Sequence, residues 1–155
     1  MDEIAVITLV LSIWGSALST VLGVVKLLGN RRKLDVKINI GFTTGAQIRR
    51  VLSIDGINVG KRPLNITGYS FEIVKGIPGK ESLFPTGSVV HTAPKPPCTL
   101  NDGESFSLIV DSESIADSLV DNGYSGGVKL VGVLRASGKI FKSKPIDLSI
   151  ALLRN

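Results

Sequence analysis

Only one cysteine, one histidine, one tryptophan and one methionine occur in 155 residues. With Cys98 alone, no intramolecular disulfide can form, which makes cysteine usage neutral about compartment, leaning towards a reducing one. Cys98 follows Pro96-Pro97 and reads as a small residue at a strand entrance, because no basic partner that would activate a thiol is in view. A nucleophile–histidine device would have to use His91, and His91 stands beside Thr92-Ala93-Pro94 with no nucleophile motif near it. One histidine and one cysteine do not supply the three or four ligands of a zinc site. Asp111, Glu113, Asp117 and Asp121 lack the spacing and glycine of a calcium loop and read as a solvated helix face. Gly123-Tyr124-Ser125-Gly126-Gly127 lacks the Lys-Ser/Thr ending of a phosphate loop. Aromatics make up 5% of the chain and the net charge is +5, a mildly basic surface without a base-stacking set, which argues against nucleic acid. The expectation is a protein that is not an enzyme and takes no cofactor or metal.

What the chain does have is a long apolar opening. Ile4 to Val25 carries no charge over 22 residues, about 33 Å as a helix against a hydrocarbon core of about 30 Å. A cleaved signal peptide would place bases before a shorter run. Here Asp2 and Glu3 precede it, and Lys26, Arg31, Arg32 and Lys33 follow. That order predicts a single-pass anchor in the cell membrane, with the remainder of the chain cytoplasmic. The bases also suit anionic headgroups, at about 1 kcal/mol per charge. Gly15, Ser19 and Gly23 recur every fourth residue, flanked by Ser12, Ser16 and Thr20. Together they form a small-residue stripe on one helical side, suited to self-association or to docking on a membrane partner.

After Gly29-Asn30 the period changes from helical to two. Leu34, Val36, Ile38, Ile40 and Phe42 alternate with polar or small residues. A turn at Thr43–Gln47 leads to a strand over Arg49–Asn58, in which Gly56 marks a bulge or a close approach. Asn58-Val59-Gly60-Lys61-Arg62-Pro63 reads as a turn whose Asn and Gly tolerate positive φ, and a strand follows to about Val74. Residues 75–100 are proline-rich and irregular, with an edge strand near Ser88–Thr92. Phe106, Leu108 and Val110 alternate within Glu104–Asp111. Ser112–Asp121 reads as a short helix capped by Ser112 or Ser114, with Ile115, Leu119 and Val120 on its apolar side. Val128–Ala136 and Lys139–Ser143 form a hairpin through Ser137-Gly138, and Ile146, Leu148, Ile150 and Leu152 form a last strand. The expected architecture is therefore an anchor helix with a basic stop over 1–33 and an all-β domain over 34–155. That domain is expected to be an immunoglobulin-like β-sandwich of about seven strands with one short helix.

Three turn signatures carry a resemblance. They are Asn58-Val59-Gly60-Lys61-Arg62-Pro63-Leu64-Asn65-Ile66, Asp102-Gly103-Glu104-Ser105-Phe106, and Ser137-Gly138-Lys139-Ile140-Phe141-Lys142-Ser143-Lys144. In these the chain resembles small membrane-anchored proteins of bacteria and their phages that join an N-terminal hydrophobic helix and a basic stop to a β-sandwich. The resemblance implies the same fold and brings no activity with it.

Further bases occur at Arg49-Arg50, Lys61-Arg62, Lys139, Lys142 and Lys144. As strand-edge and turn residues they keep edges soluble; sharing a face with Arg31–Lys33, they would rest on an anionic membrane. The leading functional expectation is a membrane-tethered interaction or scaffolding module whose partners are the bilayer and an unknown protein bound by the β domain. The alternative is a structural subunit of a pilin-like extracellular filament, packed through its N-terminal helix. Against the alternative, the bases lie behind the helix and none lies before it.

Overall fold

The computed structural model describes residues 3–29, 31–43, 48–85 and 89–154. The expected acidic residue Asp2, the helix-ending Asn30, most of the Thr43–Gln47 turn and the proposed strand start at Ser88 lie outside these residues. Helix α1 spans Glu3–Gly29, and every side chain over residues 3–27 is exposed, so no part of the β domain covers its apolar surface. The stretch Glu3–Leu27 is long and apolar enough to cross a membrane. Its hydroxyls turn back on the helix: Thr8, Ser12 and Thr20 donate to the carbonyls of Ile4, Thr8 and Ser16 at 2.8–2.9 Å. This removes the cost of bringing them into hydrocarbon.

The rest of the chain is mostly β. Its strands are β1 (Leu34–Thr43), β2 (Arg49–Asn58), β3 (Leu64–Ile73), β4 (Ser82–Leu83), β5 (Val89–Ala93), β6 (Cys98–Leu100), β7 (Ser105–Asp111), β8 (Gly127–Ala136), β9 (Lys139–Lys142) and β10 (Ile146–Ser149). Short helices α2 (Ser112–Asp121) and α3 (Ile150–Arg154) complete it. One sheet has the order β1-β2-β7-β5. The other has β10-β8-β3-β4, with β6 on β3 and β9 on β8, and all pairings are antiparallel. The inward residues of both sheets share one core. Leu52, Ile54, Phe106 and Leu108 come from the first, and Leu64, Ile66, Phe71, Leu130 and Leu134 from the second. Each contributes roughly 1.5–3 kcal/mol through removal from water. Gly56 is a close approach and not a bulge: its β1 and β7 registers are unbroken, and a Cβ there would lie 2.5 Å from Cδ1 of the buried Leu134.

Several sequence expectations are corrected. The inward face of β1 is buried only at Leu34, Val36 and Ile38, while Ile40 and Phe42 are exposed. The alternation persists, but the far end of the β1–β2 hairpin extends beyond its cover. The last strand stops at Ser149, where α3 begins. A helical turn buries Ile150 and Leu153 at i, i+3 and turns Leu152 outward, a spacing that a period of two misreads. In α2 the cap position is Asp111, with no side-chain cap bond; Ser112 is the first helical residue, and its hydroxyl donates to the carbonyl of Leu153 at 2.8 Å. The inward face of α2 is Ile115, Ala116 and Leu119, and Val120 is exposed. The proline-rich stretch holds β4 and β6 besides the expected edge strand, since each needs only two or three residues of pairing to β3.

Candidate membrane-proximal site

The junction between helix and domain is built around Asn58, the last residue of β2. Its side chain is fully buried. Nδ2 donates to the carbonyls of Arg62 and Leu100, each at 2.9 Å, and Oδ1 accepts from the Gly60 N–H at 3.0 Å. Its backbone N–H donates to Glu104 O at 3.0 Å, and its carbonyl accepts from Gly103 N–H at 2.9 Å. The side-chain amide thus ties the 59–63 turn to β6, and the backbone of the same residue holds the 101–104 turn. Buried polar groups satisfied this completely hold loops in one arrangement. Neither Asn58 nor Gly60 has positive φ, so the expected reason for their presence is wrong. Asn58 serves as an internal hydrogen-bond hub. Gly60 is needed because a Cβ there would collide with the Arg31 carbonyl oxygen and come within 2.7 Å of the Lys33 nitrogen.

Through that close approach the chain leaving α1 is fastened to the domain. The Val59 N–H donates to Lys33 O at 3.0 Å, and β1 starts at the next residue. A single residue separates Gly29, the end of α1, from Arg31. The hairpin tip joining β8 to β9 reaches the same end. Ser137 N–H donates to Asn65 O at 2.8 Å, and Ser137 Oγ accepts from Asn65 N–H at 3.0 Å. Arg31, Arg32, Arg62 and Lys139 consequently line one open hollow of about 500 Å³. Lys33 and Lys61 are exposed nearby in sequence.

The other bases are distributed elsewhere. Arg49 and Arg50 pair with Thr43 and Phe42 at the opposite end of β1, on the order of 30 Å from its start at 3.3 Å per residue. Arg50 stacks over the Phe42 ring at 5.3 Å and donates to the Leu152 carbonyl. Lys142 pairs with Glu72, and Lys144 lines a shallow groove with Asp35 and Lys37. Of the expected membrane-flanking bases, Arg31 and Arg32 join the hollow, Lys33 supplies backbone contacts, and Lys26 lies in α1. The stripe residues Ser12, Gly15, Ser16, Ser19, Thr20 and Gly23 are all exposed, and Gly15 and Gly23 have open space beside them.

Cys98 opens β6, as expected of a strand entrance. Burial raises its thiol above the ordinary value, which keeps it protonated and poorly nucleophilic at neutral pH. His91 is exposed on edge strand β5. In the acidic run, Asp117 pairs with Arg154 at 2.8 Å. Among the described residues no three His, Cys, Asp or Glu side chains gather into a metal-binding group. Asn58 and Gly60 are the residues that sequence reasoning undervalued. Their signal was the Asn-x-Gly spacing itself, read for its turn chemistry and not for what packs against it. Comparison with known proteins finds no matching family model and no matching curated protein.

Proposed function

We propose that the chain is a non-enzymatic, membrane-tethered interaction or scaffolding module, with its β domain held at the cytoplasmic face. The observation that carries this reading is an uncovered apolar helix followed, four residues beyond its end, by Lys33, whose carbonyl is hydrogen-bonded to the domain at Val59. Left in water, such a helix would expose far more contiguous apolar surface than soluble chains do. The bases behind it favour the inner side of the membrane. We further infer an immunoglobulin-like sandwich. Taken in chain order, β1, β2, β7 and β5 correspond to the first, second, fifth and fourth strands of the seven-strand pattern, and β3, β8 and β10 to the third, sixth and seventh.

A module fixed at one end presents the other. There Ile40, Phe42 and Ile48 are exposed by 48%, 60% and 78%, on the face where the β1–β2 hairpin outruns its cover. This is the surface assigned to a protein partner, and the stripe on α1 is assigned to helix–helix association in the bilayer. The test is made on full-length protein in its own membrane. Wild type is expected to resist extraction by alkaline carbonate, and a crosslinker is expected to capture a discrete partner that Phe42→Ser/Ile48→Ser loses. Release by carbonate, or a capture pattern indifferent to the double substitution, counts against the reading. The filament alternative has the helix stripe in its favour, and sheared surface fibres containing the chain would establish it.

A further inference from the structure

We propose that the hollow lined by Arg31, Arg32, Arg62 and Lys139 is a binding site for the phosphate of an anionic phospholipid, which fixes the orientation of the β domain on the bilayer. The site rests on the anchored reading above. Three separate parts of the chain supply it: the exit from α1, the turn after β2, and the β8–β9 hairpin tip. Each is held by hydrogen bonds in which the charged groups take no part: Val59 N–H to the Lys33 carbonyl, the Asn58 amide to the Arg62 carbonyl, and Ser137 to the Asn65 backbone. The cations are therefore brought together by the fold, against their mutual repulsion, a cost that an anionic ligand offsets. Among the described residues no carboxylate lines the hollow.

Charge and position together select the ligand. The guanidinium groups of Arg31 and Arg32 offer planar paired donors that match phosphate oxygens, and Arg62 and Lys139 add positive charge beside them. Arg31 lies two residues beyond the end of a helix long enough to span the hydrocarbon, which sets the hollow at headgroup depth. An anion reaching it there is attached to a lipid. Juxtamembrane bases attract anionic lipid through the surface potential alone. Here two of the four cations come from residues far along the chain, so the preference depends on the folded domain and not only on the stretch after the helix.

The test is native mass spectrometry of the full-length chain in neutral detergent, titrated separately with phosphatidylglycerol, phosphatidylcholine and inorganic phosphate. Phosphatidylglycerol is expected to bind at least about tenfold more tightly than phosphatidylcholine. Lys139→Gln is expected to weaken it about fivefold and Arg62→Gln/Lys139→Gln about thirtyfold, with melting curves like wild type. If the double variant melts early, Lys139→Gln alone carries the comparison. Lys142→Gln, outside the hollow, is expected to leave the preference intact. Equal binding of the two phospholipids by wild type, or a preference that Lys139→Gln leaves undiminished, overturns the proposal. So does inorganic phosphate binding as tightly as phosphatidylglycerol, which would assign the hollow to a soluble anion. Carbonate extraction reads the anchor independently of these titrations, so failure of the anchored reading is distinguishable from failure of this one.

Discussion

Asn58→Ala is expected to lower the stability of the β domain by about 4 kcal/mol, the sum of several buried groups losing their partners at once. The amide is fully buried and bonds three backbone groups. Truncation strands the carbonyl of Leu100 inside the domain, frees that of Arg62, and removes the acceptor of Gly60. For a domain of this size the loss corresponds to a melting temperature lower by roughly 15 °C, measured by near-ultraviolet circular dichroism of the full chain in detergent. Asn58→Asp separates donor from acceptor. It keeps the acceptor for Gly60 but turns a carboxylate oxygen towards two carbonyls, and is expected to be at least as damaging at neutral pH. A loss below about 1 kcal/mol in Asn58→Ala would show that the loops hold without the amide.

Gly60→Val acts on the seam itself. The atoms a Cβ would meet are the Arg31 carbonyl oxygen and the Lys33 nitrogen. Both are backbone and cannot swing aside as a side chain can. Relief requires the exit segment to lift, breaking the Val59–Lys33 bond at 3.0 Å. The expected cost is about 3 kcal/mol, with trypsin cleavage around Arg31–Lys33 at least about tenfold faster in detergent micelles. Gly68→Ala is the matched control, because nothing lies within 4 Å of the added carbon and its effect is expected to stay within about 1 kcal/mol. Equal cleavage rates in Gly60→Val and wild type would mean that the helix is attached by a loose linker.

The elements legible in sequence were those whose period was long and uninterrupted. The apolar opening and the alternation from Leu34 gave the helix and the first strand. The apolar spacing of Ile115 and Leu119 gave α2. Burial was less legible than secondary structure, because a repeat of two says which face a residue occupies but not whether anything covers that face. Ile40 and Phe42 lie on the inward face, beyond its cover. The carboxyl terminus failed for a related reason. Ile146, Leu148, Ile150 and Leu152 fit a strand as readily as a strand followed by a helical turn, and only the burial of Leu153 in place of Leu152 separates the two.

The basic hollow behind α1 was half legible. Arg31–Lys33 announced themselves by following an apolar run, and Lys61-Arg62 and Lys139 were visible as bases in turns. Their gathering was not visible, because it depends on which turns meet at one end of two sheets, a matter of topology. Arg49-Arg50 looked equivalent in sequence and lies at the far end. Asn58 was hidden by its own chemistry: the same amide that favours turns also serves as an internal hub, and only burial distinguishes the roles.

The face of the membrane on which the β domain lies can be read by protease accessibility. A protease is applied to sealed right-side-out membrane vesicles and, in parallel, to inverted ones, with the β domain followed by an antibody against its carboxyl terminus. The account predicts that the domain survives intact in the first and is degraded in the second. Degradation from the outer face would contradict it, as would a mature chain that begins beyond Val25 and is lost from the membrane altogether.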